Sequence, residues 1–280
     1  MNMIISEKKN KSLFLKFYKL IIFLFTISIL CFSFFIILDN SNFKVSFENL
    51  ETTVHYIESF FPLDHSISLI FEILKNTLIT LSIATISVFF SLCFAFPISI
   101  IRSQISFDFF YLSKKKKTYK NTISFLVTLN LIFMRSLPEL VLALIFVRIF
   151  GLGPTAGIFA IIFSYIGFMS KVFTEIIDST DPSIAESLIK NGSNKVKAIL
   201  FGTLPQCLDE LITYTLFRWE CAIRTSIVLG IVGAGGLGQQ LEFAIKMMSL
   251  NEVSSIILAM IILVYLTDIF SQWTRKVFCK

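Results

Sequence analysis

Six of the charged side chains that interrupt the apolar segments of this sequence are the residues best suited to binding an ion or a charged solute. They are Arg135, Glu139, Arg148, Arg218, Glu220 and Arg224. A lone charge at the centre of a bilayer costs about 2.5–3.5 kcal/mol on insertion scales, so charges persist there when they pair or line water. Arg135 and Glu139 are four residues apart, as are Glu220 and Arg224, and this spacing places two side chains on one helix face.

Two interpretations of these charges remain open. In the first, they form ion pairs that fix helices to one another, with Arg135 paired to Glu139 and Arg218 paired to a residue of another helix. In the second, they line a translocation path. Four arginines stand against two glutamates in the set, and this surplus of positive charge would favour an anion.

The remaining reactive residues predict neither a catalytic site nor a metal site. The cysteines are far apart and form no C-x-x-C pair: Cys31, Cys93, Cys207, Cys221 and Cys279. Only two histidines, His55 and His65, are present, so the usual zinc ligand sets are missing. The sequence also lacks a Walker G-x-x-x-x-G-K-[ST] motif. We therefore expect no bound cofactor, no metal and no ATP hydrolysis by this chain itself.

A glycine motif near residue 235 resembles a dinucleotide-binding fingerprint but lacks its context. Gly233, Gly235 and Gly238 match G-x-G-x-x-G, with Gly236 between them. That fingerprint requires a preceding strand and an acidic residue about 20 positions further on. Here the glycines follow an apolar helix, so we interpret them as a place where the chain breaks or where backbones pass closely.

The composition is that of an integral membrane protein. Of the 280 residues, 55% are hydrophobic and only 16% are charged, and the mean hydropathy is +0.79. Soluble domains are typically about 45–50% apolar and about 25% charged. This balance excludes a disordered chain, a collagen-like repeat and a disulfide-stapled secreted scaffold.

About six membrane-spanning helices are predicted. A spanning helix needs about 20 mainly apolar residues. Four runs satisfy this: Leu20–Leu38, Asn76–Ile101, Ile149–Ser170 and Val253–Thr274, the last interrupted only by Asp268. Two less pure runs, Asn121–Phe150 and Cys207–Val232, contain the charges described above. Five spans remain an alternative if either of these is re-entrant. The first span is expected to be an uncleaved anchor.

The distribution of basic residues predicts that both termini are cytoplasmic. Seventeen lysines and arginines lie before the first span, in the second and fourth connections, and after the last span. The first outer segment, about residues 39–68, has only Lys44 against five acidic residues. Cytoplasmic loops carry the excess of Lys and Arg. The Lys114–Lys117 run fits this topogenic role and a contact with membrane lipid better than nucleic-acid binding.

The connection at residues 180–206 predicts a polar helix–turn–helix on the cytoplasmic face. Asp181 or Ser183 can cap the first helix, which ends where Gly192 supplies a left-handed residue. Ser193 or Asn194 can cap a second short helix, expected to end at Leu204-Pro205. Such a loop suits contact with another protein, although a plain amphipathic connector has the same pattern.

This loop resembles the E-A-A-x3-G loop of the permeases of binding-protein-dependent ABC importers. Its pattern is Glu186-Ser-Leu-x3-Gly192-x11-Leu204-Pro205, with Ser187 and Leu188 replacing the family's alanines. Four further segments resemble the permease subunit of phosphonate importers. They begin at Arg135 (Arg-Ser-Leu-Pro-Glu-Leu-Val), Gly151 (Gly-Leu-Gly-Pro-x-Ala-Gly), Gly202 (Gly-Thr-Leu-Pro-Gln) and Phe217 (Phe-Arg-Trp-Glu). The resemblance covers roughly residues 121–280.

The resemblance implies an all-α bundle of the type I importer (MetI-like) class, working as a homodimer. It implies two ATPase subunits that dock on the 180–206 loop, an extracytoplasmic substrate-binding protein, and a gate around Gly233–Gly238. Residues 69–280 would form the permease core and residues 1–68 an anchor with an acidic outer segment. The cargo would be phosphonate or a related phosphorus-containing anion. Phosphite or thiamine remain alternatives within the class, and a membrane-embedded enzyme is the alternative outside it.

Overall fold

The structure is a computed structural model and describes residues 18–36, 66–111 and 114–278. Every regular element in these ranges is a helix. The chain divides into two units, Met1–Glu58 and Ser59–Lys280. The first unit contributes one described helix, α1 (Tyr18–Ile36), whose residues are all exposed within this chain. The acidic segment at 39–65, both histidines and Cys279 lie outside the described residues.

The second unit is a succession of helices, some of them joined without a break. They are α2 (Ile67–Tyr111), α3 (Lys114–Ser136), α4 (Glu139–Phe150), α5 (Pro154–Ser179), α6 (Ser183–Lys190), α7 (Lys195–Ala198), α8 (Leu204–Leu229), α9 (Gly236–Lys246) and α10 (Leu250–Phe278). Two π-helical stretches connect them: the first π turn (Ile199–Thr203) leads from α7 into α8, and the second π turn (Gly230–Ala234) follows α8.

Four helices are long and apolar enough to cross a membrane, and two bent pairs raise the number to as many as six. The pairs are α3 with α4, bent by 84°, and the run Val196–Ala234 with α9, bent by 52°. These correspond to the two charge-containing runs of the sequence. One predicted boundary is wrong: the third span begins at Pro154 rather than Ile149, because Gly151 and Gly153 adopt positive φ and separate it from α4.

Small side chains allow α2 and α5 to pack closely. Ser87, Ser91, Ala95 and Ser99 follow one another every four residues on α2, and all are fully buried. The facing part of α5 contains buried Ala156, Gly157, Ala160 and Ser164. Such small-xxx-small spacing lets backbones approach in membrane helices, where van der Waals packing replaces the hydrophobic effect.

The second helix of the 180–206 connection does not end at Leu204-Pro205, as the sequence suggested. The helical run is continuous from Val196 to Ala234. Pro205 has no N–H for the preceding turn, and the wider first π turn lies immediately before it. The side-chain amide of Gln206 donates to the Gly202 carbonyl at 2.7 Å. A proline that normally ends a helix is thereby accommodated inside one.

Candidate functional site

A cavity of about 470 Å³ lies at the bend between α3 and α4 and extends to α5 and α8. It brings together three of the charged residues singled out in the sequence: Arg135, Glu139 and Arg224. Ser164 and Phe168 of α5 also line it, and the Ser164 hydroxyl lies 3.4 Å from Oε1 of Glu139, to which it donates. The cavity therefore offers two guanidinium groups, one carboxylate and the hydroxyls of Ser136, Ser164 and Thr225 to a small polar solute.

The expected ion pair between Arg135 and Glu139 does not form. The helix breaks at Leu137 and Pro138, so the spacing of four residues no longer places the two side chains on one helix face. Both are half-buried, and within the described part of the chain Arg135 forms no ion pair. The two residues meet only as lining of the same cavity.

Glu220 and Arg224 also find partners other than each other. Glu220 accepts a hydrogen bond from Arg275, and Arg224 donates from Nη2 to Asp268 at 2.9 Å and 3.2 Å. Both partners lie on α10, so the two ion pairs join α8 to α10. Sequence reasoning missed both partners, although Asp268 was visible as the lone charge in an otherwise apolar span, and such residues call for a counter-ion.

Arg218 contacts another helix, as expected, but through aromatic rings rather than a carboxylate. Its guanidinium carbon lies 4.2 Å from the centre of the Phe168 ring and 5.1 Å from that of Tyr165, both on α5. Its Nε donates to the hydroxyl of Tyr214 at 2.8 Å. Cation–π contacts stabilise an arginine by about 0.5–2 kcal/mol, depending on its exposure, which explains how Arg218 is held although it forms no ion pair with the described residues.

The 180–206 connection has the predicted capped helix and left-handed stop. Asp181 Oδ1 accepts from the Ser183 backbone N–H at 3.1 Å at the start of α6. At its end, Gly192 adopts φ +85°, and the N–H groups of Gly192 and Ser193 donate to the carbonyls of Ile189 and Leu188. These two bonds form a Schellman motif.

Helix α6 packs directly on the first π turn. A Cβ at Gly202 would lie 3.1 Å from Cα of Ala185 and 3.2 Å from Leu188 Cδ1, and both Ala185 and Gly202 are buried. Glu186 lies one residue beyond this contact and forms only a loose 3.8 Å ion pair with Lys190. This contact joins α6 to the first part of the long helical run that contains α8.

The glycine segment at 230–238 is a point of close backbone approach, as the sequence indicated. A Cβ at Gly238 would lie 1.9 Å from the Ile227 carbonyl oxygen, and one at Gly230 would lie 2.7 Å from that of Gly235. Gly233, Gly235 and Gly236 have positive φ. At Gly230 and Gly238 no larger residue fits this tight bend between α8 and α9 without a shift of the backbone.

Thr80 of α2 forms hydrogen bonds to both sides of that bend. Its hydroxyl accepts from the Leu237 N–H at 3.0 Å at the start of α9. Its carbonyl accepts from the Ser226 hydroxyl of α8 at 3.3 Å, and Asn76, one turn earlier, donates to Gln240 at 2.9 Å. The bend is thus held against α2 by polar side chains, a contact absent from the sequence-based interpretation.

The residues that carry the cavity, the loop and the glycine segment all fall within one family match. Residues 110–278 match the family described as "Binding-protein-dependent transport system inner membrane component". The chain belongs to this family. It is a membrane-embedded permease subunit of an ABC importer, and membership implies an ATPase and a substrate-binding protein as partners.

Two relatives place this importer permease more narrowly. It is 32% identical over 220 residues to HtxC of Stutzerimonas stutzeri, a permease protein named for phosphite transport, covering 79% of this chain and 73% of HtxC. It is 38% identical over 112 residues to PhnE2 of Escherichia coli K12, named for a cryptic phosphonate transport system, covering 40% of this chain and 92% of PhnE2. The resemblance stated from the sequence motifs is confirmed.

The predicted fold class is confirmed by a solved structure. The MetNI methionine ABC transporter in an inward-facing conformation contains a chain that matches this permease with a TM-score of 0.64 at 18% identity. The match covers 77% of this permease and all of that chain. At this identity the likeness concerns the fold, which is that of the MetI-like importer bundle.

Proposed function

We propose that this permease, as a homodimer with two ATPase subunits and an external binding protein, imports phosphonate or phosphite across the cell membrane. The observation that supports this choice of cargo is the 32% identity to HtxC over most of both chains. The arginines at the cavity add to it, because a phosphorus oxyanion is the kind of solute that guanidinium groups bind.

In this proposal the chain is not itself an enzyme and gains its energy through the 180–206 loop. The ATPase grips α6 around Glu186, and the left-handed residue Gly192 fixes the direction of the following chain. Closure of the ATPases draws α6 inward and moves α8 through the first π turn, where Leu204 and Pro205 enter the long helical run. A ligand that binds one of two conformations more tightly shifts the equilibrium between them.

The translocation path is assigned to the side that Arg135, Glu139 and Arg224 share. Arg218 and Glu220, with their aromatic and Arg275 contacts, serve the packing of α5, α8 and α10 instead. The glycine segment, Gly233, Gly235, Gly236 and Gly238, forms the narrow gate. Its support is the close backbone packing there, which leaves little room for a solute unless the helices separate.

ATP-driven uptake into proteoliposomes tests the cargo. Vesicles that contain the permease and its ATPase subunits should accumulate methylphosphonate or phosphite only when ATP is supplied. The binding protein is present in all of these assays. Thiamine, a cation, should not compete. Uptake of thiamine with no effect of phosphonate or phosphite would contradict the proposal, and so would chemical alteration of the solute without transport, which would indicate a membrane enzyme.

A further inference from the structure

Two ion pairs join α8 to α10, and they differ in exposure and in what else they touch. The Glu220–Arg275 pair is mostly covered, with 12% and 30% of the two side chains exposed. The Arg224–Asp268 pair is open, with 49% and 36% exposed. Of the four residues, only Arg224 also lines the cavity of about 470 Å³.

Arg224 therefore has one side toward Asp268 and another toward the cavity. Both hydrogen bonds to Asp268 use the same nitrogen, Nη2. An arginine carries five N–H donors, and the others on Arg224 have no protein partner among the described residues. They remain available to an anion that enters beside Arg135.

The charges around the cavity are balanced only when Asp268 is included. Arg135 and Arg224 contribute two positive charges, and Glu139 contributes one negative charge. Asp268, bound to Arg224 from outside the cavity lining, supplies the second negative charge. An incoming oxyanion can bind the free N–H groups of Arg224, but it shares the positive charge of that guanidinium with the Asp268 carboxylate.

We propose that Asp268 is a built-in competitor for the anionic cargo, a specificity-determining residue that keeps the cavity's affinity low enough for release. A transport site must bind its solute well enough to admit it and weakly enough to let it leave. The carboxylate holds Nη2 of Arg224 and so weakens the attraction of that guanidinium for the cargo. This inference rests on the proposed function, since it requires a phosphorus oxyanion as cargo.

The test measures anion binding to the purified full-length permease in lipid nanodiscs, with inorganic phosphate and methylphosphonate as probes, by phosphorus-31 saturation-transfer NMR. Asp268→Asn removes the charge and keeps the size of the side chain. We expect half-saturation at an about tenfold lower concentration, the lower end of the effect of one nearby charge on an ionic equilibrium. Arg224→Gln should weaken binding by a similar factor.

Glu220→Gln is the matched control, because it also breaks an ion pair between α8 and α10 but does so away from the cavity. It should leave the half-saturating concentration unchanged. In proteoliposomes with the ATPase and the binding protein, Asp268→Asn should lower the KM for uptake and also lower kcat, because release slows. A merely structural role for Asp268 would lower kcat without lowering KM.

Unchanged or weaker anion binding by a folded Asp268→Asn variant would overturn the inference, and Asp268→Ser serves as a second charge-removing variant if the first does not fold. If neither folds while Asp268→Glu does, the carboxylate is structural and the inference is wrong. Failure of wild-type permease to bind or transport either phosphorus anion would overturn both the proposed cargo and the inference. Wild-type transport without tighter binding in the variants would overturn the inference alone.

Discussion

Gly192 shows how a single residue supports the proposed coupling. Its φ of +85° lies in the left-handed region, which costs most residues about 1–2 kcal/mol. The two hydrogen bonds that close the Schellman motif depend on this conformation. Among the described residues, no atom beyond the adjoining chain lies within 4 Å of the position of a Cβ at Gly192, so a substitution there acts through the backbone conformation.

Replacing Gly192 by proline should uncouple ATP hydrolysis from transport. Proline fixes φ near −65° and removes the N–H, which donates to the Ile189 carbonyl. The end of α6 would unravel while the membrane helices, which do not contact this position, still insert. The measurement is the number of ATP molecules hydrolysed per solute transported in proteoliposomes, which should rise several-fold.

Gly192→Asn is the matched control, because asparagine is the residue after glycine that most often occupies this position at a helix end. It should retain most of the coupling. Substrate-stimulated hydrolysis that is unchanged in Gly192→Pro would refute the role of the loop, since a connector without a docking function tolerates a local change.

At this scale the sequence predicted what depends on neighbouring residues and missed what depends on distant ones. The stop at Gly192 and the capping by Asp181 are local and were confirmed. The counter-ions of Glu220 and Arg224 lie 55 and 44 residues away along the sequence. Helical spacing, which relates only near neighbours, instead placed Glu220 and Arg224 on one helix face. The pairing of Arg135 with Glu139 failed because Pro138, visible in the sequence, breaks the helix between them.

At the scale of elements, the packing of α8 on α10 depends on charges as well as on apolar contacts. Leu263 and Ile256 of α10 are buried, and Trp219 of α8 contacts Phe270 edge-on. Glu220 and Arg275 lie beside this contact, and Nε of Arg275 is buried with no hydrogen-bond partner among the described residues. The Ser271 hydroxyl accepts a hydrogen bond from the same guanidinium at 3.1 Å, and Glu220 supplies the opposite charge that compensates for its desolvation.

A double-mutant cycle on Glu220 and Arg275 should show that removing one of the two charges destabilises the permease more than removing both. Glu220→Leu alone should destabilise the permease by about 2–4 kcal/mol, because breaking a largely buried pair leaves an uncompensated charge. Adding Arg275→Met should recover most of that loss. The measurement is thermal unfolding in detergent micelles, followed by circular dichroism.

The expected signature is a large coupling energy of opposite sign to the single-variant effects. Additive destabilisation by the two substitutions would contradict it and would indicate that the side chains contribute by packing rather than by charge. Trp219→Leu changes the adjacent aromatic contact without changing the charge. It therefore shows how large the destabilisation is when only packing is lost.

The sequence predicted which segments form long helices, but not where all of them begin and end. Apolar length identified the four long spans, because a bilayer requires it. Hydropathy does not detect the break at Gly151 and Gly153, since glycine scarcely alters an apolar average, and Ile149 was therefore assigned to the wrong helix. At Pro205 the error was the opposite one, since a helix end was predicted where the helix continues. The first π turn lets the helix continue past this proline.

At the scale of the whole molecule, the fold class was predictable and the packing of the helices was not. Composition excluded a soluble domain, and the motifs from Arg135 to Gly238 indicated the importer bundle. The stripe of Ser87, Ser91, Ala95 and Ser99 that brings α2 against α5 was overlooked, because small residues in an apolar run leave its hydropathy nearly unchanged. Which helices are neighbours follows from such shape complementarity, for which a single sequence carries little signal.

Orientation in the membrane is the property of the whole molecule on which the coupling proposal depends. Seventeen of the 25 lysines and arginines lie on the side assigned to the cytoplasm, and an excess of this kind sets topology. The 180–206 loop should then face the cytoplasm, where ATP is available, and the connection between α9 and α10 should face outward. Ser187 and Met247 are exposed representatives of the two sides.

Sided labelling of single cysteines tests this arrangement. In a variant whose five native cysteines are replaced by serine or alanine, Met247→Cys should react with a membrane-impermeant maleimide added to intact cells. Ser187→Cys should react only after the membrane is permeabilised, and both should react equally in detergent. Labelling of Ser187→Cys from outside would place the loop away from any ATPase, and no cytoplasmic motor could then drive α6 and α8 as proposed.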